Sequence, residues 1–254
     1  MSGVFSGRTV LVSGGGNGLG RAMCAALSVN GARVLAVGRT RATVEETVAQ
    51  LAGPGRASVC DVGDPGSVRQ LAAEFADEEI SVLVNNAGIA GPVASLVDVD
   101  PADWDEVFGV NVRGTFLMCQ AFLPPMIERR TGQIVNIASV SGKRPLLRRT
   151  PYCASKMAVL GLTTTLAGEV GPLGVTVNSL SPGPVEGPRM TGNFQREAVA
   201  TGVTVEEAEA VFVSRAALGR MVTEDEVAAA LVAMLQMPGL CAADIDLSAG
   251  MVAR

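Results

Sequence analysis

Tyr152 and Lys156 stand four residues apart in the run Tyr-Cys-Ala-Ser-Lys, and Ser139 precedes the tyrosine by thirteen residues. On a helix, residues at i and i+4 share one face about one turn apart. An ammonium held near a phenol favours the phenolate. A phenol tuned in this way can pass a proton to or from an alcohol or carbonyl oxygen. Tyr152 is the only tyrosine in the chain. The bland alternative is a half-buried aromatic beside a solvated lysine, and the spacing by itself does not separate the two.

Composition narrows the chemistry further. The 254 residues include no histidine. That absence removes Ser-His-Asp hydrolases, Cys-His nucleophiles and most zinc sites, and no metal site is expected. Acid–base work must then come from Tyr, Lys, Cys or a carboxylate. The net charge of −5 gives no support for a nucleic-acid partner. Five cysteines without paired spacing point to a reduced, cytoplasmic protein with buried thiols. The amino-terminal residues lack the layout of a signal peptide. The longest strongly apolar run, Val227 to Leu235, is too short to cross a bilayer, so no membrane partner is expected.

The elements that would position these residues alternate. Strand patterns cover 8–13, 33–38, 57–61, 81–86, 133–139, 175–181 and 244–247. Helical patterns fall between them at 18–30, 41–51, 65–76, from Pro101 on to Phe122, at 152–170 and at 224–235. The strands are apolar on both faces, as in a parallel sheet covered on both sides by helices. We read one α/β domain over residues 1–254, a Rossmann-type doubly wound parallel sheet of about seven strands. The stretch 184–215 breaks the rhythm and reads as a substrate lid.

The first strand runs into Ser-Gly-Gly-Gly-Asn-Gly-Leu-Gly, with Gly14, Gly18 and Gly20 in the spacing Gly-x-x-x-Gly-x-Gly. Such a turn lets a pyrophosphate approach backbone N–H groups at a helix amino terminus. The second strand ends in Val-Gly-Arg-Thr-Arg, without the carboxylate that would hold ribose hydroxyls and repel a 2′-phosphate. Arg39 there suits a phosphate, which favours NADP(H) over NAD(H).

Together these motifs resemble the short-chain dehydrogenase/reductase family over nearly the whole chain. The resemblance rests on the glycine turn, Asn85-Asn86-Ala87-Gly88, Asn111, Ser139, Tyr152-x-x-x-Lys156 and Pro182-Gly183. It implies Tyr152 as general acid/base, with Lys156 lowering its pKa and holding the nicotinamide ribose. Ser139 would bind the substrate oxygen, and Asn111 would anchor a water that relays protons from Lys156. Asn17, Leu19 and the turn glycines would hold the pyrophosphate, and Asp61 and Val62 would line the adenine pocket. Asn85, Ala87 and Gly88 would run along the cofactor, and Pro182, Gly183 and Val185 would frame the nicotinamide. The family also implies a homotetramer.

Position 187 departs from the pattern, being glycine where many relatives carry threonine. Among family members, the general look is that of 3-oxoacyl-(acyl carrier protein) reductases. Arg129 and Arg130 match one basic site for the carrier, but Leu173 stands where the second would need arginine. Lys143, Arg144, Arg148, Arg149 and Arg189 read either as sites for an anionic substrate or as a solvated loop or subunit contact. The leading expectation is hydride transfer between NADP(H) and a small-molecule carbonyl or alcohol, with a 3-oxoacyl thioester among the candidates. The alternatives are an NAD-dependent dehydrogenase of a diol, sugar, steroid or hydroxy acid, and a non-catalytic cofactor-binding sensor or scaffold.

Overall fold

Short runs rich in Val, Leu and Ile, bounded by Gly, Asn and Asp, form the strands of a seven-stranded parallel sheet. The computed structural model describes residues 3–144 and 146–252. Strands β1 (Thr9–Ser13), β2 (Arg33–Gly38), β3 (Gly55–Val59), β4 (Ile80–Asn85), β5 (Gly132–Ile137), β6 (Val175–Pro182) and β7 (Asp244–Leu247) lie in the order β3-β2-β1-β4-β5-β6-β7. The order reverses between β1 and β4, which opens a crevice at the carboxyl edge there.

Side-chain alternation along each strand feeds two cores. Val10, Val12, Val34 and Ala36 pack on one face under α1 (Gly18–Val29) and α9 (Glu224–Leu235). Leu11, Leu35, Val37 and Leu83 pack on the other, under α3 (Pro65–Glu74), α5 (Gly114–Glu128) and α6 (Thr150–Val170). Each fully buried valine or leucine among them contributes about 1.5–3 kcal/mol. The remaining helices are α2 (Arg41–Ala49), α4 (Pro101–Phe108), α7 (Pro188–Thr201) and α8 (Val205–Val213).

Several boundaries differ from the sequence reading. The third strand starts two residues earlier, at Gly55, where it pairs with Val34. The helix opened by Pro101 does not end at Phe122. It passes through a π-helical turn at Gly109–Arg113 and continues as α5 to Glu128 despite Pro124 and Pro125. Packing decides this: Phe122 and Met126 are buried, which carries the helix past the two missing N–H donors. Pro151 occupies the first turn of α6, so that helix begins at Thr150. Not every thiol is buried, because Cys241 is exposed and Cys153 half-buried. The stretch read as a lid forms the pair α7 and α8, joined by an edge-on contact of Phe194 with Phe212 at 5.6 Å. No described helix is long and apolar enough to cross a membrane.

Candidate active site

A cavity of about 300 Å3 lies along the carboxyl edge of β1, β4, β5 and β6. Its wall is built from loops that leave those strands, so side chains far apart in sequence meet there. Ser139 follows β5 and is buried; its Oγ accepts from the Ser141 N–H at 3.1 Å. Tyr152 and Lys156 come from the first turns of α6 and both face the cavity.

Lys156 is buried, and its Nζ lies 5.9 Å from the centre of the Tyr152 ring. Nζ donates to the Ile137 carbonyl at 2.8 Å. Burial, and after it the neighbouring Arg189 guanidinium, lower its pKa to about 7. An ammonium with three donors keeps two for a ligand or water.

Asn111 sits in the π-helical turn, a distortion that recurs at functional sites. Its Oδ1 accepts from the Ile89 N–H at 2.8 Å, and its Nδ2 donates to Ile89 O and Ser155 Oγ, each at 3.0 Å. It does not line the cavity. It clamps the segment carrying Gly88, where an added Cβ would stand 3.1 Å from Asn111 Oδ1 and 3.5 Å from Lys156 Nζ.

At the other end of the cavity, the glycine turn leads into α1. Gly14 and Gly18 have φ of +66° and +50°, and a Cβ on Gly20 would collide with the Gly14 carbonyl. The amino terminus of α1 has no side-chain cap and no acidic residue in its first turn. Unsatisfied N–H groups beside glycines that admit close approach fit the pyrophosphate of a dinucleotide. Asn86, absent from the sequence-derived site residues, pins this turn: its Nδ2 donates to Ser13 O at 3.0 Å and Gly14 O at 3.3 Å. Its place in the Asn-Asn-Ala-Gly run was the signal that could have found it.

Asn17, Leu19, Ala87, Pro182, Gly183 and Val185 also border the cavity. Arg39, Asp61, Val62 and Asn85 do not. Arg39 is exposed at the end of β2, and Asp61 and Val62 follow β3, on the open stretch of sheet edge beyond the glycine turn. Asn85 is buried, its Nδ2 donating to Asn136 Oδ1 at 2.9 Å. Other lining groups were not singled out in the sequence: Met190, Phe194 and Phe212 lie within the stretch read as a lid, and Glu224 stands at the start of α9.

Most basic residues around the cavity have partners instead of being solvated. Lys143 pairs with Asp244 and Asp246, Arg148 pairs with Glu197, and Arg144 donates to the Met251 carbonyl. Arg129 and Arg130 donate to Ile80 O and Pro172 O. They lie just before β5, at the amino-terminal edge of the sheet, opposite the cavity.

Residues 8–199 match the family described as short chain dehydrogenase. D-threitol dehydrogenase of Mycolicibacterium smegmatis is 40% identical over 183 residues, 70% of each chain. A 3-oxoacyl-(acyl-carrier-protein) reductase of Thermotoga maritima is 34% identical over 88% of each chain. Among solved structures, actinorhodin polyketide ketoreductase with NADPH superposes with a TM-score of 0.91 at 30% identity, covering 96% of this chain and 97% of the other. NAD+-bound xylitol dehydrogenase superposes with a TM-score of 0.93 at 25% identity, covering 97% and 100%. The chain thus belongs to the short-chain dehydrogenase/reductase family, as an NAD(P)-dependent oxidoreductase acting on CH–OH or C=O groups.

Proposed function

We propose that this protein is an NADP(H)-dependent reductase of a small carbonyl compound, with Tyr152 as the proton donor and acceptor. The observation that carries the reading is the shared cavity. Ser139, Tyr152 and Lys156 open on one end of it, and the uncapped amino terminus of α1 opens on the other.

When bound, the nicotinamide supplies the hydride. The chain's own residues do the rest. In the reducing direction, the Tyr152 hydroxyl gives its proton to the substrate oxygen, and the Ser139 hydroxyl donates a hydrogen bond to the same oxygen. The Lys156 ammonium offsets the negative charge left on the phenol oxygen. One Lys156 proton is held by Ile137, leaving the others for the nicotinamide ribose and for a relay water. Asn111 keeps one Oδ1 lone pair beyond its bond to Ile89, which can hold that water beside Lys156. Gly14, Asn17, Gly18, Leu19 and Gly20 would hold the pyrophosphate, and Ala87, Gly88, Pro182, Gly183 and Val185 the nicotinamide half. Asp61, Val62 and the backbone at Asn85 would serve the adenosine half. Helices α7 and α8 close over the cavity as a lid.

Arg39 supports the phosphate-bearing cofactor. It is exposed and has no ion pair among the described residues. It also stands just before α2, whose amino terminus has neither a side-chain cap nor an acidic first turn. A second reading, NAD+-dependent oxidation of a polyol, draws on the likeness to D-threitol and xylitol dehydrogenases. The carrier-protein substrate loses ground because Leu173 stands where the second basic site would need arginine. A screen of ketones, oxo acids and polyols with both cofactors tests the reading. NADPH oxidation by at least one carbonyl class is expected; activity confined to NAD+ and polyols would hand the case to the second reading.

A further inference from the structure

The cavity wall holds more positive charge than proton transfer uses. With Lys143, Arg144 and Arg148 occupied, Arg149, Arg189 and Arg215 remain, Arg215 standing over the Phe212 ring at 5.7 Å from its centre. Arg149 is 6% exposed and lines the cavity. Its Nη1 donates to the Gly91 and Pro92 carbonyls at 3.3 Å each, and its Nη2 to Asn193 Oδ1 at 2.6 Å. All three acceptors are neutral. Glu197, whose charge reaches Arg149, is already held by Arg148.

Arg189 lies at the cavity mouth in the first turn of α7, its Cζ 5.9 Å from the Tyr152 ring centre. It makes no ion pair among the described residues. Arg196 crowds the same spot and shares Asn193 Oδ1 with Arg149, at 2.6 Å. A guanidinium cannot shed its proton, and a buried cation without a counter-charge is costly. Arg149 and Arg189 repel each other as they stand. An oxyanion entering between them would offset that penalty, and a guanidinium can hold a carboxylate by paired N–H···O bonds.

We propose that the substrate carries an oxyanion, in the simplest case a carboxylate, which docks between Arg149 and Arg189 and presents the reacting carbon to Tyr152 and Ser139. This rests on the oxidoreductase reading of the same cavity. The apolar side chains of Leu146, Met190 and Phe194 on the same wall then suit the carbon chain of an oxo acid or hydroxy acid. Arg189 sets specificity at the rim, and Arg149 forms the fixed floor.

The test pairs turnover with binding. In the first arm, kcat/KM is measured for 4-oxopentanoate and its methyl ester with the wild type, Arg189→Ala and Arg189→Lys. The acid should lead by about tenfold or more, mostly through KM. That ratio should collapse in the alanine variant and partly return in the lysine one. In the second arm, calorimetry with cofactor present compares butyrate with butyramide. Butyrate should bind about tenfold more tightly, an advantage that shrinks in about 0.5 M salt. Arg189 is exposed, so its variants should keep the wild-type melting temperature. Arg189-dependent butyrate binding without turnover of any carbonyl would uphold the anion site and remove the oxidoreductase reading. Turnover of acid and ester alike, with butyrate no better than butyramide, would overturn the anion site and leave that reading standing.

Discussion

Lys156 Nζ lies 5.9 Å from the centre of the Tyr152 ring, and its hydrogen bond within the protein goes to the Ile137 carbonyl at 2.8 Å. The lysine is therefore aimed past the ring toward the cavity, anchored to the end of β5 and not to the phenol itself. Two functions separate on this geometry: Tyr152 handles the proton, and Lys156 sets the charge around it.

Replacing Tyr152 by Phe removes the only hydroxyl that the proposed reaction uses for proton transfer. Turnover should fall by about two to four orders of magnitude. The melting temperature and the cofactor dissociation constant, read by fluorescence, should stay near wild type. Turnover retained within a few-fold would end the assignment of Tyr152 as acid and base.

Lys156 makes a prediction about stability. Its pKa is about 7 in the folded protein, against 10.5 for an ordinary lysine. Between those values the unfolded chain binds the proton more tightly, so folding stability rises with pH from about 7 to about 10.5. Below pH 7 the lysine is charged in both states and the burial penalty is fully present. Lys156→Met has no such penalty, though it leaves the Ile137 carbonyl without a donor at any pH. Its melting temperature relative to wild type should therefore be highest near pH 6 and fall steadily toward pH 10. A difference that does not change across that range would show that burial does not depress this ammonium.

How much of this was legible in the sequence depends on the range of the interaction. The glycine turn, Ser139 and Tyr152-x-x-x-Lys156 announce themselves because each acts through local geometry: a strand end, a helix start, one helical turn. The partners of Lys143 do not, since Asp244 and Asp246 lie about a hundred residues away and meet it only when β7 joins β6. The π-helical turn that places Asn111 is equally silent, because residues 101–122 carry an ordinary helical pattern. The buried charge of Arg149 depends on Gly91 and Pro92 of one loop and Asn193 of α7 converging, which no spacing encodes.

Arg39 divides the cofactors. A charge-assisted contact to a 2′-phosphate contributes about 1.5–3 kcal/mol. Arg39→Ala should weaken NADPH binding by about ten- to a hundredfold on that scale and leave NADH binding unchanged. Equal affinities for both cofactors in the wild type would assign Arg39 to the solvated surface instead.

Gly187 offers a sharper test, because the backbone there speaks against the family pattern. Its φ of +133° and ψ of 177° lie in a region that side chains with a Cβ rarely adopt. Its carbonyl accepts from the Met190 and Thr191 N–H groups and so starts α7, which ties this conformation to the position of the lid. Threonine, expected here from the resemblance, would need a different backbone. Gly187→Thr should thus cost about 1–3 kcal/mol of strain. At this chain length that lowers the melting temperature by about 2–4 °C per kcal/mol. NADPH affinity should not improve, because the lid start must shift before the hydroxyl can reach a ligand. If the threonine variant were as stable as wild type and bound NADPH more tightly, glycine at 187 would be a lost cofactor contact and not a shape requirement of the lid.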